Sequence, residues 1–213
     1  MESIVKKYQR QFRKIKDETS RWEELQSRLI SQFSNASSII QRLQAIQNLQ
    51  NYEILRCFEG IEGVVLAKQM DSFQTILLSI NNTMKEFGGI VSSLEKVVRD
   101  SKQLAKVGSA QMTAKQLKQQ IGVKPTLADC IEGLRLLEEM HRSEYLLKLS
   151  LVSALPALAL KPSASADLGA LQQLLVDQPN IPRDEEFDIQ SPVFAFARAV
   201  QYVYDIIFAE EIS

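Results

Sequence analysis

Apolar residues recur along the first half of the chain at alternating steps of three and four positions. In a first segment, from about residue 3 to residue 51, the repeat runs through Tyr8, Phe12, Ile15, Thr19, Trp22, Gln26, Leu29, Phe33, Ala36, Ile40, Leu43 and Gln47. In a second segment, from about residue 64 to residue 104, it runs through Met70, Phe73, Leu77, Ile80, Met84, Phe87, Val91, Leu94 and Val98. This spacing places one apolar stripe on each of two helices. We therefore predict a long antiparallel, coiled-coil-like helix hairpin over residues 1–107.

Proline and glycine are almost absent from the same part of the chain. The first of the six prolines is Pro125 and the first of the eight glycines is Gly60. Sandwiches, barrels and doubly wound sheets need frequent turns, which these two residues usually supply. The fold class predicted is all-α: an elongated helical bundle built on the hairpin, with shorter C-terminal helices.

The second half of the chain predicts a C-terminal helical region over residues 108–213. Thr126 is a suitable N-cap, and Pro156 is expected to end the helix that follows. The expected helices cover about 110–121, 126–154, 166–176 and 192–210, and residues 155–166 are interpreted as a linker. The last helix is apolar on most sides, so it should be buried in the bundle or in a partner.

Two features of the hairpin leave alternatives open. A first helix of about 48 residues spans roughly 70 Å, whereas a compact domain of this size is roughly 35 Å across. Either the helix breaks, or part of its apolar seam projects and needs a partner. Gly88 and Gly89 interrupt the second helix. They indicate a kink or a close helix crossing, with a hinge as the functional alternative.

The composition offers few groups for catalysis or metal binding. Hydrophobic residues make up 45% of the chain and charged residues 24%, as in an ordinary globular protein. The single histidine is His141, and the two cysteines are Cys57 and Cys130, which are too few and too far apart for a zinc site. No glycine-rich phosphate loop and no nucleophile elbow is present. We predict a non-enzymatic protein with no catalytic, cofactor-binding or metal-binding residues.

Charge is distributed unevenly although the net charge is only -1. Residues 1–16 contain six basic residues and one acidic residue, a local +5. This segment is interpreted as a solvated helix face, with binding of anionic lipid, nucleic acid or calmodulin as alternatives. The net charge argues against direct nucleic-acid binding, and no apolar run is long enough to span a membrane. A generic coiled-coil tether, or a membrane-surface scaffold using the basic helix, is the alternative function.

Several single residues are candidates for partner contact. Trp22 and His141 lie on apolar stripes and are better interpreted as packing residues than as a cofactor platform or a metal ligand. Ser191 precedes Pro192, which suits a helix N-cap and is also a minimal proline-directed phosphosite. The candidate partner-binding residues are Lys14, Trp22, Leu29, Phe33, Phe73, Phe87, His141, Tyr145, Leu147, Phe194 and Tyr204.

Three sequence blocks carry a family resemblance. The first is Arg-Lys-Ile-Lys-Asp at residues 13–17 with Trp22 after it, the second is Leu-Leu-Glu-Glu-Met-His-Arg-Ser-Glu-Tyr-Leu-Leu-Lys at residues 136–148, and the third runs from Asp167 to Gln178-Pro179. In this order and spacing, over residues 12–180, they resemble the cyclin-dependent-kinase-interacting protein family, CINP. The Pro-Thr-Leu-Ala-Asp start at residues 125–129 and Gln-Ala-Ile-Gln-Asn-Leu at residues 44–49 are also similar to AIRIM, a small helical family that pairs with CINP.

The resemblance implies a role and a set of partners. Both families are non-catalytic subunits that act with a hexameric AAA ATPase in the maturation of the large ribosomal subunit and on replication machinery. CINP is also linked to cyclin-dependent kinase and checkpoint signalling. The resemblance therefore implies an adaptor that binds a sister helical subunit and an AAA ATPase, in the nucleus and the cytoplasm. The apolar last helix after Ser191 departs from the CINP pattern, as does the absence of a polar N-terminal extension.

Overall fold

The computed structural model describes residues 2–47, 60–107, 127–161 and 163–181, and every regular element in these ranges is an α-helix. The helices are α1 (Glu2–Gln47), α2 (Ile61–Val107), α3 (Leu127–Ala159) and α4 (Ser165–Asp177). The predicted all-α class is confirmed, and α1 and α2 match the two predicted long helices within a few residues. The helices predicted at 110–121 and 192–210, and with them Ser191, Phe194 and Tyr204, lie outside the described residues.

Residue contacts divide the chain into two compact units. Of the described residues, the first unit contains 2–22, 89–107, 127–144 and 180–181, and the second contains the remainder. The separation of the sequence into a hairpin region, 1–107, and a C-terminal region, 108–213, stays a prediction.

The antiparallel order of α1 and α2 is visible in side-chain contacts of the second unit. Arg28 pairs with Glu86 at 2.7 Å, Gln32 with Ser79 at 2.8 Å, and the Nε of Arg42 with the Oε1 of Gln69 at 3.0 Å. The partner's number falls as the α1 number rises, so the two helices run in opposite directions. Because these pairs are exposed, each adds well under about 1 kcal/mol and mainly records the register.

The stability of the hairpin comes instead from its apolar seams. Full burial of each such side chain contributes on the order of 2 kcal/mol. In the second unit, the buried seam residues of α1 and α2 include Leu29, Phe33, Ala36, Ile40, Leu43, Phe73, Ile80, Met84 and Phe87. The heptad prediction thus identified most buried positions of both long helices in this unit, although Met70, the first position of the α2 repeat, is exposed.

The end of α3 differs from the prediction. The helix continues through Pro156 to Ala159, so its predicted end at residue 154 is wrong, and the predicted linker 155–166 is shortened to the segment between Ala159 and Ser165. Proline lacks the N–H that would bond back to the preceding turn. Burial of Leu155 and Leu158 on either side of Pro156 holds the last turn in place. The chain then leaves the helix through tighter bonds, from Leu160 N to Ala157 O and from Lys161 N to Leu158 O, each 3.2 Å.

Gly88 is a point of close approach between helices. Helix α2 is continuous through Gly88 and Gly89. A Cβ built on Gly88 would lie 3.0 Å from the hydroxyl oxygen and 3.4 Å from Cζ of Tyr145, whereas one built on Gly89 would meet nothing within 4 Å. The expected close crossing is therefore found at Gly88, where Tyr145 leaves no room for a larger side chain. Gly89 is under no such restriction.

Substitution of these glycines should have opposite effects on stability. Gly88→Val places branched carbon against the Tyr145 ring, and we expect it to lower the free energy of unfolding by about 1–3 kcal/mol. Gly89 has open space around it in the folded chain, so an alanine there meets no neighbour. Because Gly89→Ala also reduces the backbone freedom of the unfolded chain, it should raise the free energy of unfolding by about 0.5–1 kcal/mol. Urea unfolding of the full chain measures both. Equal effects of the two substitutions would contradict the close crossing.

Candidate protein-interaction surfaces

Trp22 and His141 form an aromatic contact inside the first unit. Their ring centroids are 4.8 Å apart at an interplanar angle of 81°, and both side chains are buried. The Nδ1 of His141 donates to the carbonyl oxygen of Leu137 at 2.8 Å, because a carbonyl oxygen can only accept. This bond fixes the ring on its own helix. The interpretation of Trp22 and His141 as packing residues is confirmed.

Glu144, on α3, binds Asn180, and both residues belong to the first unit. Its buried Oε2 accepts from the backbone N–H of Asn180 at 3.2 Å and from the Nδ2 of the same residue at 3.1 Å. Just before Asn180, Gln178 takes a left-handed conformation (φ 47°, ψ 60°) that ends α4, and Pro179 prevents its continuation. The second family-like block therefore contacts, through Glu144, the residue that directly follows the third block.

Lys148, like Glu144, belongs to the second family-like block, but it lies in the second unit. Its side chain is fully buried, with Nζ 5.8 Å from the centroid of the Phe87 ring. A desolvated ammonium over an aromatic face is stabilised by the negative charge density of the ring. Trp22, His141, Glu144, the Gly88 crossing and Lys148 all make contacts inside the fold. The family-like blocks therefore contribute residues that hold the helices together.

Other predicted partner-contact residues vary widely in exposure. Leu29, Phe33, Phe73 and Phe87 are buried in the second unit. Tyr145 and Leu147 are half-buried, and Lys14 is exposed. Partner contact by these residues stays a prediction, and of the described ones Lys14 has the most accessible side chain.

Gln26 has a role that sequence reasoning missed. It occupies one position of the α1 repeat, which most often holds an apolar residue. In the second unit its Nε2 donates to the carbonyl oxygen of Leu175 at 2.6 Å, near the C-terminus of α4. The last carbonyls of a helix lack partners within the helix, so the amide satisfies one of them. The available signal was a polar residue at a repeat position with Trp22 before it and Leu29 after it.

Charged side chains line an open groove of about 420 Å³ between α2 and α3 in the first unit. Arg142 lies 2.6 Å from Glu95 and 2.8 Å from Glu138, and Arg99 and Lys102 also border the groove. Two turns earlier on α3, Arg135 bridges Glu132 at 2.8 Å and Glu139 at 2.7 Å.

The ion pair between Arg135 and Glu132 shifts the pKa of both groups. The hydrogen bond from Arg135 holds the pKa of the Glu132 carboxyl below its ordinary value. Glu132 and Glu139 raise the pKa of Arg135 in turn. Because all three side chains face solvent, their contribution to stability is small.

A second exposed surface, which we name the α3 stripe, lies on the C-terminal half of α3 in the second unit. It is defined by Leu146, Leu149, Ser153, Pro156 and Leu160, with Ser150 and Ala157 beside them, and all seven are exposed. Leu146 is 55% exposed and Leu160 80%. No member of the stripe carries a charge. The sequence signal was the run of residues 146–160, in which Lys148 is the one charged residue, and Lys148 is buried.

The described residues contain neither a metal-binding cluster nor a membrane-spanning helix. No group of three or more His, Cys, Asp or Glu side chains among them could hold a metal ion. No helix in the described ranges is long and apolar enough to cross a membrane. The basic face of α1 is accessible at Arg10, Arg13 and Lys14.

Comparison with known families gives a match over nearly the whole chain. Residues 2–212 match the CA109-like family, described as ribosome biogenesis protein C1orf109-like. The chain belongs to this family. The C1orf109-like family is related to the CINP and AIRIM families that the sequence blocks resemble, under a different family name. No curated protein matches the chain. The expected role in ribosome maturation is therefore supported at the level of the family.

Proposed function

We propose that the chain is a non-catalytic adaptor in maturation of the large ribosomal subunit. In this role it binds a sister helical subunit and a hexameric AAA ATPase. The observation that carries the proposal is the match of residues 2–212 to a family of ribosome biogenesis proteins. The partners come from the resemblance of the three sequence blocks to CINP and AIRIM.

The construction of the chain agrees with an adaptor. The long helices α1, α2 and α3 bury apolar side chains along their lengths. The functional residues of such a protein are exposed side chains that fit a partner, rather than a cluster of reactive groups in a cavity. The energy for remodelling a ribosomal precursor then comes from ATP hydrolysis by the partner.

The family description favours a role in the nucleus or nucleolus. We extend the proposal to the nucleus and the cytoplasm, because large-subunit precursors mature in both. A role in replication and genome maintenance, and binding of a cyclin-dependent kinase, are further parts of the proposal that rest on the CINP resemblance alone.

Affinity purification and depletion together test this function. A tagged full-length chain at natural expression levels should recover a AAA ATPase and a CINP-type helical subunit under gentle lysis. Depletion of the chain should lower the ratio of free large to small ribosomal subunits on sucrose gradients, and re-expression should restore it. Recovery of no ATPase, with an unchanged gradient, would contradict the adaptor. Salt-sensitive binding of the purified chain to anionic vesicles in that case would favour the membrane-surface scaffold.

A further inference from the structure

Three neighbouring cations lie on an exposed face of α1 in the first unit. Arg10, Arg13 and Lys14 are three and four positions apart, so they share one face of the helix, and all three side chains are exposed. None of the three forms an ion pair with another residue of the part of the chain that the structure describes. We name these three residues the α1 basic face.

The same spacing on α3 carries a different pattern of charge. Steps of three and four there alternate in sign, through Glu132, Arg135, Glu139 and Arg142. Arg135 lies 2.8 Å from Glu132 and 2.7 Å from Glu139. Arg142 in turn lies 2.6 Å from Glu95. Opposite charges at this spacing stabilise a helix, whereas like charges destabilise it. The α1 basic face therefore adds nothing to the stability of its own helix, and its repeated positive charge points to an anionic ligand.

The net charge of the whole chain conceals this concentration of positive charge. Residues 1–16 carry a local +5, whereas residues 183–213 contain two basic and seven acidic residues, a local -5. The sum of the two segments is zero although neither segment is neutral. Exposed charges act over one Debye length, about 8 Å at physiological ionic strength, so the local charge decides which ligand a surface attracts. The small net charge therefore does not exclude a nucleic acid as the ligand of the α1 basic face.

The apolar face of α1 is already used inside the fold. Ile15, which directly follows Lys14, is 5% exposed, and Trp22 is 2% exposed. An amphipathic helix binds a bilayer or calmodulin through its apolar face, so α1 would have to leave the core to do so. A nucleic-acid backbone requires only the exposed cations, because arginine and lysine bind phosphate oxygens directly. The α1 basic face is therefore better suited to a chain of phosphates than to a lipid bilayer.

We propose that the α1 basic face binds the phosphate backbone of RNA. The family description supports RNA, because ribosomal precursors consist largely of RNA. This inference rests on the proposed function, since it gives the adaptor a contact with the precursor on which it acts. Contacts with phosphate position a protein on a nucleic acid but carry no sequence information. The α1 basic face thus holds the protein on RNA without selecting a sequence.

Two triple variants with the same change in net charge test the proposal. The face variant combines Arg10→Gln, Arg13→Gln and Lys14→Gln. The control variant replaces three exposed cations of the second unit, in the combination Arg42→Gln, Lys68→Gln and Lys85→Gln. Binding of each purified full-length chain to fluorescent poly(U) RNA is measured by anisotropy at salt concentrations from about 50 to 200 mM.

The face variant should bind the RNA at least about tenfold more weakly than the wild type at low salt, and the control variant should stay within about twofold. Each phosphate contact contributes about 0.7 to the slope of log affinity against log salt for a single strand, so three lost contacts should reduce this slope by about 2. Thermal unfolding midpoints of the three chains should agree, because every replaced side chain is exposed.

Equal affinity and equal salt dependence of the two variants would overturn the RNA contact, and so would a wild-type chain that binds no RNA at about 50 mM salt. Tighter binding of phosphatidylserine vesicles than of RNA, lost in the face variant, would assign the α1 basic face to a membrane surface instead. The measurement uses the purified chain alone, so its failure leaves the adaptor intact. Failure to recover a AAA ATPase, in contrast, contradicts the adaptor and not the RNA contact.

Discussion

Trp22→Ala should lower the free energy of unfolding by about 3–5 kcal/mol, the range typical of a deleted core aromatic side chain. Trp22 is 2% exposed, and its ring packs against the edge of His141. Removal of the indole leaves a cavity next to an imidazole whose Nδ1 is held by Leu137, so the ring cannot simply move in to fill it. Since ordinary domains are stable by about 5–15 kcal/mol, the loss is a large share of the total.

The size of this effect should depend on volume and on burial. Trp22→Phe retains much of the aromatic volume and should cost less than half as much. Glu24→Ala removes an exposed side chain two residues away and should stay within about 0.5 kcal/mol of the wild type. Chemical denaturation followed by circular dichroism suits all three, because it does not depend on the tryptophan signal. If Trp22→Ala lowers the free energy of unfolding by less than about 1 kcal/mol, Trp22 is not tightly packed against its neighbours.

The buried faces of the hairpin were predictable because heptad periodicity reports burial directly. The spacing selected Leu29, Phe33, Phe73 and Phe87, and all four are in the core. What periodicity could not supply was the partner of each buried face. A seam that meets other helices of its own chain looks the same in sequence as one that meets another protein. The residues chosen as partner contacts on that basis are therefore mostly internal.

The family-like blocks also contain residues whose burial the sequence could not predict. Glu144 and Lys148 are charged residues within an amphipathic helix, and sequence alone places such residues on the surface. In the fold both are fully buried, Glu144 against Asn180 and Lys148 over Phe87. Burial of a charge requires specific partners. Because those partners come from distant parts of the chain, only the three-dimensional arrangement reveals them.

The α3 stripe was missed for a related reason. Pro156 was expected to end the helix, which would have placed Leu160 in a linker with no defined direction. Once α3 extends to Ala159, its exposed positions fall on one line. Proline usually ends a helix, but burial of Leu155 and Leu158 stabilises the turn that contains Pro156. The exposed surface can be recognised only when the true end of α3 is known.

Gln26→Glu should destabilise the chain at neutral pH by about 3 kcal/mol or more. Gln26 is 6% exposed, and its Nε2 lies 2.6 Å from the carbonyl oxygen of Leu175. A carboxylate in this place cannot donate, so two oxygens that both carry negative charge would face each other with little water between them. The nearby C-terminus of α4 adds the negative end of the helix dipole.

The destabilisation by Gln26→Glu should disappear in acid. Burial and the facing carbonyl raise the pKa of the introduced carboxyl in the folded state above its unfolded value, near 4.3 for an ordinary glutamate. Below the unfolded pKa the carboxyl is protonated in both states and can donate an O–H to Leu175, so stability approaches that of the wild type. As the pH rises toward the folded pKa, the difference in unfolding free energy grows by about 1.4 kcal/mol per pH unit and then levels off.

Gln26→Met separates this effect of charge from the loss of the hydrogen bond. It keeps the volume and removes the donor, so it should cost about 1–2 kcal/mol at every pH. Urea unfolding of the wild type and both variants between pH 4.5 and 7.5 gives the comparison. A difference between Gln26→Glu and wild type that does not change over this range would mean that the carboxyl reaches water. In that case Gln26 is not the buried joint between α1 and α4 that its short bond to Leu175 indicates.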